Sequence, residues 1–333
     1  MVIVNWNGKH LIGDCLDSLR LQRYGDFEMI VVDNGSNDGS PEFIERRYPE
    51  VRLVRLSENT GFAAGSNAGI RVSSGRYIAL LNNDTKADPG WLAELVTVAE
   101  QDPSIGMWAS KILNFDRPEV IDNTGLLLYR DGLARGRGRL EQDRGQYGQV
   151  EEVLIPSGCA AMYHHDVLTT VGMFDEEYFA YVDDVDLGLR ARLAGWKCIY
   201  VPAAVVYHKY SASSSAYSPF KAFLVERNRL WTMMKYFPCE LVLASPYFTG
   251  KRLAFQFFGA VTGRGASGKF TERHSAFAAA RILLRAWAAA LFRLPRICRK
   301  RWAFAPKRKI GRKEFYSYFR LFGISAAELA LKE

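Results

Sequence analysis

Long apolar runs are missing from this chain. Nowhere do about 18 apolar residues follow one another without a charge, which argues against a simple membrane span. Cysteine is scarce. Cys15, Cys159, Cys198, Cys239 and Cys298 stand far apart with no CxxC pair, which disfavours a disulfide framework or a zinc knuckle and fits a reducing cytoplasm. No strand–GxGxxG–helix unit opens the chain, so a dinucleotide dehydrogenase is disfavoured, and the lack of GxxxxGK[ST] excludes a P-loop kinase or ATPase. The opening MVIVNWNG carries no basic n-region and only a short apolar run, so it does not read as a signal peptide. A strand that begins at residue 1 leaves two readings: a start a few residues upstream, or a short first strand. There are no internal repeats. Acidic residues vanish from one stretch, between Glu272 and Glu314, which holds thirteen Lys or Arg.

What is present describes a globular protein. Its 333 residues suggest roughly two domains, and the composition of 48% hydrophobic and 24% charged residues suits a packed core. The net charge of +8 is unevenly distributed. Residues 1–220 carry 21 Lys and Arg against 30 Asp and Glu, a net of −9, while residues 221–333 carry 23 against 6, a net of +17. Opposite charges suggest two jobs, with the basic part facing something anionic.

The first part alternates strand and helix patterns. Strands are expected at 1–5, 28–32, 51–56 and 77–81, with helices at 10–21, from Ser40-Pro41 onward, at 63–72 and at 89–100. This order predicts an α/β fold with a mostly parallel sheet flanked by helices. In such sheets ligands gather past the carboxyl ends of strands, which points to Asn5, Asp33, Asn59 and Asp84. Residues 130–148, rich in Gly and Arg, read as an exposed loop. A helix is expected at 165–171 and another through Val185, Leu189 and Leu193. Short strands are expected at 198–201 and 204–207, a polar loop at 211–215, and an amphipathic helix at 218–237 ending before Pro238.

Four segments carry chemistry. In LLNNDT (80–85) a strand delivers Asp84, a hard oxygen ligand suited to Mg²⁺ or Mn²⁺, or else a helix-capping acid. In YVDDVDLGLR (181–190) three carboxylates crowd together, which raises at least one pKa and suits a general base. Asp183 and Asp186 share a helical face and Asp184 points elsewhere, although an acidic helix N-terminus needs no catalysis to explain it. His208 in VVYHKYSASSS is a structural histidine or the completion of a divalent metal site. Asp33 in VDNGSNDGS is either an Asx-turn residue or an acceptor for a ribose hydroxyl or pyrimidine N–H. The small residues of ENTGFAAGSNAG would let backbone approach a ligand.

Taken together and in this order, VNWNG, VVDNGSNDGS, NTGFAAGSNAG, ALLNNDT, SGCAAM, FDEEYFAYVDDVDLGLRARLAGW and VYHKYSASS resemble the inverting family 2 glycosyltransferases of GT-A fold. The likeness is to their rhamnosyltransferase-like branch in bacterial polysaccharide assembly and covers about residues 1–237. It implies a GT-A (Rossmann-like) domain over 1–237; composition sets a basic helical region over 238–333 apart from it. It implies transfer of a sugar from a nucleotide diphosphate sugar to a hydroxyl of a glycan or lipid-linked acceptor, with a divalent cation, Mg²⁺ or Mn²⁺. By that resemblance Asp84 and His208 are the metal ligands, and Asp184, or Asp183 where the family usually has Glu, is the general base. Asn5, Trp6, Asp33, Asn34 and Asn67 belong to the nucleotide pocket. Asn82 and Asn83, where the family's DxD-type motif starts, contact ribose or the first phosphate. Gly158 and Cys159 form the acceptor-side loop, and Arg227 and Asn228 face a diphosphate.

The basic tail lies outside the resemblance. Its helical window at 276–294 sets Phe277, Trp287 and Leu291 among Arg281, Arg285 and Arg293, as in helices that lie on anionic membrane surfaces. The expected location is the cytoplasmic face of the inner membrane. Nucleic-acid binding is disfavoured by the acidic first part and the lack of any motif for it. Two alternatives stand beside transfer: a sugar nucleotidyltransferase, and a membrane-surface scaffold on a transferase fold.

Overall fold

The computed structural model describes residues 1–209, 218–272 and 274–332. The chain divides into two compact units, Met1–Leu126 with Gly136–Ser213, and Leu127–Arg135 with Ser214–Glu333.

The first unit follows the alternating pattern. Strand β1 (Val2–Asn5) is followed by α1 (Lys9–Arg20), β2 (Ile30–Asn34), α2 (Ser40–Arg47), β3 (Arg52–Leu56), α3 (Gly61–Val72), β4 (Tyr77–Leu81), β5 (Thr85–Ala87) and α4 (Trp91–Ala99). Then come β6 (Ile105–Asn114), β7 (Ile121–Asn123), β10 (Glu151–Val153), β11 (Ala160–His164), α5 (His165–Val171), α6 (Asp183–Leu193) and β12 (Lys197–His208), while β8 (Leu126–Leu128) and β9 (Ala134–Gly136) fall largely in the second unit. The main sheet runs β10-β12-β6-β11-β4-β1-β2-β3. Strands β3, β2, β1 and β4 are parallel, as are β6 and β12, while β11 runs antiparallel between β4 and β6. Near-continuous burial of IVVDN and YIALL reflects helices covering both faces. The core includes Ile3, Val31, Leu16, Trp91 and Trp108.

Three local expectations change. The glycines of α3 serve packing rather than ligand approach: a Cβ on Gly69 would lie 2.4 Å from Val2 and one on Gly65 2.8 Å from Val4. Only glycine lets this helix lie so close to the sheet. The two short strands expected at 198–201 and 204–207 are one strand, β12, whose ladder with β6 shifts register between Val201 and Val205, around Pro202. Proline cannot donate to a ladder, so the irregularity absorbs it. The expected exposed loop at 130–148 is largely buried in its first half. Asp131 is fully buried, and Arg137 and Arg139 pair with Glu151 and Asp122. The polar loop expected at 211–215 lies outside the described residues.

The second unit holds α7 (Pro219–Tyr236), α8 (Cys239–Thr262), α9 (Gly265–Thr271), α10 (Ala276–Phe292), α11 (Leu294–Phe304), α12 (Arg312–Leu321) and α13 (Ala326–Leu331). The resemblance placed residues up to 237 in the first domain. Helix α7 instead packs with α10 and α11 and belongs to the second unit. The reason is visible at its buried face, where Glu226 and Arg229 join Asp131 and Arg252 in a four-charge cluster.

Candidate active site

The first unit's strand ends converge on one cluster. Parallel register sets Asn5 opposite Asp33. Asn5 Nδ2 lies 3.5 Å from Asp33 Oδ1, and Asn83 Nδ2 donates to Asn5 Oδ1 at 2.8 Å. Asp33 Oδ2 accepts from the Ser36 backbone N–H at 3.1 Å, which closes an Asx-type turn.

Beyond β4 the chain turns sharply. The Thr85 hydroxyl donates to the Asn82 carbonyl at 2.6 Å and the Asn82 N–H donates to the Cys159 carbonyl at 2.9 Å. That turn buries Asp84, only 3% exposed. Because β5 pairs antiparallel with β12, Thr85 stands opposite His208, and His208 Nε2 comes to 3.4 Å from Asp84 Oδ1. Asp84 Oδ1 is buried and accepts no hydrogen bond. On the other side of the ring, Nδ1 lies 2.7 Å from Asp122 Oδ2. Burial alone would lower the imidazole pKa, but Cys159, Asp122 and Asp84 together hold it well above its ordinary value.

Strand β11, antiparallel to β4, starts at the same end of the sheet, so Gly158 and Cys159 sit beside the Asn82–Asp84 turn. The Gly158 N–H donates to Asp184 Oδ2 at 2.9 Å, joining α6 to that turn. The segment before α6 is strained: Phe179, Tyr181 and Val182 have φ of 66°, 66° and 65°. For a β-branched residue such as Val182 this conformation is costly, and such strain gathers at functional sites. It is anchored by the Phe179 carbonyl, which accepts from the Ala63 N–H at 3.2 Å. Gly61 below it cannot carry a Cβ, which would lie 2.3 Å from that oxygen.

The three acids of α6 part ways. Asp186 is buried and accepts from Arg190 at 2.9 Å, a structural pair. Asp183 is buried, accepts from the Asp184 N–H at 3.1 Å, and has an Oδ2 with no hydrogen-bond partner. Asp184 is half-exposed. Burial, then the neighbouring Asp184 charge, pushes Asp183 well above the usual carboxylate range. Burial also raises Asp184, with the Gly158 and Val185 N–H groups opposing it.

The cluster thus joins Asn5, Asp33, Asn83, Asp84, Gly158, Cys159, Asp184 and His208. Asn82 is half-exposed beside it, and Trp6, just past β1, is 45% exposed. Two expected donor-binding residues are spent on the fold instead. Asn34 donates to Asn59 and the Gly61 carbonyl and accepts from Thr60. Asn67 clasps the Phe174 backbone and Glu176. Arg227 and Asn228 lie on α7 in the second unit, where Arg227 stacks 4.3 Å over the Trp231 ring. Asp122 escapes sequence reasoning. It stands 38 positions from Asp84 and 86 from His208, in a three-residue strand with no motif around it.

Among the described residues no group of three or more His, Cys, Asp and Glu side chains is arranged to hold a metal. Asp84 and His208 offer two ligands, one a buried oxygen that accepts no hydrogen bond and the other a ring oriented by Asp122. That partial set suits a divalent cation whose remaining positions are filled by substrate oxygens and water.

The model of the glycosyl transferase family 2 matches residues 1–172. The chain is 30% identical over 233 residues to the N-acetylglucosaminyl-diphospho-decaprenol L-rhamnosyltransferase of Mycobacterium tuberculosis, covering 61% of this chain and 73% of that protein. It is 29% identical over 217 residues to the O-antigen biosynthesis protein RfbC of Myxococcus xanthus, covering 62% of this chain but 17% of that protein. Among solved structures, the mannosyltransferase PcManGT of Pyrobaculum calidifontis, in complex with GDP-Man and Mn²⁺, superposes with a TM-score of 0.54 at 18% identity, over 88% of this chain and 85% of its own. GalNAc-T7, with UDP, GalNAc and Mn²⁺, superposes with a TM-score of 0.57 at 16% identity, over 71% of this chain and 47% of its own, so this chain spans about half of it. These likenesses support the GT-A fold, and the family match sets the nucleotidyltransferase and scaffold alternatives aside. The chain belongs to glycosyl transferase family 2 and is a glycosyltransferase that uses a nucleotide sugar.

Proposed function

We propose that this enzyme moves a sugar, rhamnose on present likeness, from a nucleoside diphosphate donor to a hydroxyl of a lipid-diphosphate-linked glycan, inverting the anomeric carbon. The observation that carries the reading is the buried Asp84 Oδ1, which accepts no hydrogen bond and faces His208 at 3.4 Å, with Asp184 joined to the same strand ends through Gly158. The mycobacterial relative's name supplies the acceptor class.

Each residue has a task. Asp33 and Asn5 edge the donor side, where a ribose or base finds acceptors. Asp84 and His208 would hold Mg²⁺ or Mn²⁺, which supplies positive charge to the departing diphosphate. Asp184 takes the proton of the acceptor hydroxyl as its oxygen bonds to the anomeric carbon and the carbon–phosphate oxygen bond breaks, the electron pair leaving with the diphosphate. Asp184 suits that task better than Asp183 because it reaches solvent and Asp183 does not. Its raised pKa improves it as a base while leaving it open to protonation at low pH. Burial and the neighbouring Asp184 charge push the Asp183 carboxyl upward, which disfavours a second negative charge at the site.

The second unit supports a location on a membrane surface. No helix of the described residues is long and apolar enough to cross a bilayer. Helix α8 nonetheless exposes Leu243, Tyr247, Phe257 and Val261 along one stripe, and α10 exposes Phe277, Leu284 and Leu291 beside Arg281 and Arg285. An exposed apolar stripe with basic flanks suits an anionic interface.

The experiment is Asp184→Asn. It should abolish transfer while donor-induced thermal stabilisation survives. Full transfer in that variant would remove Asp184 as the base.

A further inference from the structure

The second unit contains a cavity of about 600 Å³ lined by Tyr129, Arg130, Tyr247, Phe248, Lys251 and Phe319, among others. Its volume lies within the range of small-molecule sites. Its floor is an apolar cluster around Tyr129, Ala326 and Leu329 with Phe248 against it. The Tyr129 hydroxyl donates to the Phe248 carbonyl at 3.1 Å, so its polar tip is satisfied and its ring presents an apolar wall.

Two cations stand in this aromatic setting. The Arg130 guanidinium lies 5.4 Å from the Phe248 ring centroid and 5.9 Å from that of Phe319. Such stacking orients the planar fork and leaves its edge N–H groups available. Lys251 is exposed on α8, one turn beyond Tyr247. Neither Arg130 nor Lys251 forms a salt bridge among the described residues, and three acids of the second unit are engaged elsewhere: Asp131 and Glu226 in the buried cluster, Glu328 with Ser325. Two unneutralised cations among aromatic rings mark a site for a ligand that is anionic at one end and apolar at the other.

The surroundings extend that reading. Tyr247 lines the cavity and also belongs to the exposed apolar stripe of α8 that includes Leu243. A ligand headed by phosphate in the cavity can therefore continue as hydrocarbon along the apolar side chains of this stripe.

We propose that this cavity binds a lipid phosphate, its phosphate or diphosphate held by Arg130 and Lys251 and its first apolar units laid against Tyr129, Tyr247, Phe248 and Phe319. The proposal deepens the lipid-diphosphate acceptor reading and rests on it. It assigns the recognition of the carrier, as distinct from its sugar, to this unit. Arginine supplies bidentate hydrogen bonds to phosphate and lysine a point charge, while the aromatic walls reward an attached isoprenoid over a bare anion.

The test is calorimetric titration of the full chain with farnesyl diphosphate, inorganic pyrophosphate and farnesol. Farnesyl diphosphate should bind at least tenfold more tightly than either of the other two. Arg130→Ala with Lys251→Ala, both exposed positions that leave the fold intact, should weaken farnesyl diphosphate binding more than tenfold. Tyr247→Ser should weaken farnesyl diphosphate binding and leave pyrophosphate unchanged. Equal binding of pyrophosphate would reduce the site to an anion patch, equal binding of farnesol would reduce it to an apolar groove, and unchanged affinity in the double variant would remove it from this cavity. Each of these results overturns the proposal. No donor sugar is needed in these titrations, so they stand apart from the acceptor reading. Transfer by the wild type to a lipid-free acceptor as efficient as to a lipid-linked one would refute that reading without altering the titrations.

Discussion

Glu226→Gln is the perturbation whose size the structure fixes best. Glu226 is 4% exposed. It accepts from Arg229 Nε at 2.8 Å, from Arg252 Nη2 at 3.1 Å and from Trp287 Nε1 at 2.9 Å. With Asp131 it balances two buried guanidinium groups. Glutamine has nearly the same shape but leaves one positive charge uncompensated. Removing one partner of a buried charge pair costs about 3–5 kcal/mol. A second route gives a similar figure. Burial would raise the Glu226 pKa, but Arg252 and Arg229 overcome it and hold the group at about 2 against an ordinary 4.5. At 1.36 kcal/mol per pH unit that gap amounts to about 3 kcal/mol. The sign follows from the lowered value: the contribution is complete above pH 4.5 and fades as pH falls toward 2. For a unit of this size about 3 kcal/mol lowers the melting temperature by roughly 10 °C. Calorimetry of wild type and Glu226→Gln between pH 7 and pH 3 measures both effects. The variant should melt lower at pH 7, and the gap should narrow in acid. A melting temperature within 1 °C of wild type at pH 7 would refute the electrostatic account of this core.

Other consequences follow from the same geometry. Asp122→Ala removes the acceptor that fixes the His208 ring and should weaken Mn²⁺ binding by roughly 10- to 100-fold, read from Mn²⁺ titrations of donor binding; an unchanged titration would deny Asp122 its orienting role. Gly69→Val drives a side chain into Val2 and Val32 and should destabilise the first unit by several kcal/mol in urea unfolding, whereas a tolerated valine would mean that α3 can lift from the sheet. Replacing Leu243 and Phe257 by Asp should abolish co-sedimentation with anionic vesicles, and full sedimentation would place the membrane contact elsewhere.

Much of the first unit was legible because its information is local. Strand–helix alternation encodes the parallel half of the sheet, and the rule of strand carboxyl ends points to Asn5, Asp33 and Asp84 from sequence alone. What local reading missed depends on distant chain segments. Strand β11 enters antiparallel between β4 and β6, so Gly158 and Cys159 arrive at the site through a pairing that periodicity does not announce. Asp122 reaches His208 because β7 pairs with β6, and β6 with β12. Asn34 and Asn67 carry the right chemistry for a ligand, but their amides are consumed by backbone at residues 59–61 and 174. The Gly- and Arg-rich segment at 130–148 looked solvated by composition. Asp131 within it is buried beside Arg229 and Arg252, 98 and 121 positions later, which neutralise it.

In the proposed reading, Asp84 and His208 would hold one half of a divalent-cation site, with the donor diphosphate supplying further ligands. Calorimetric titration of a nucleoside diphosphate sugar with and without Mn²⁺, on wild type and on Asp84→Asn, measures it. Binding to wild type should depend on Mn²⁺, and binding to Asp84→Asn should be at least tenfold weaker. Equal affinity in the two proteins, or binding indifferent to Mn²⁺ in the wild type, would contradict it.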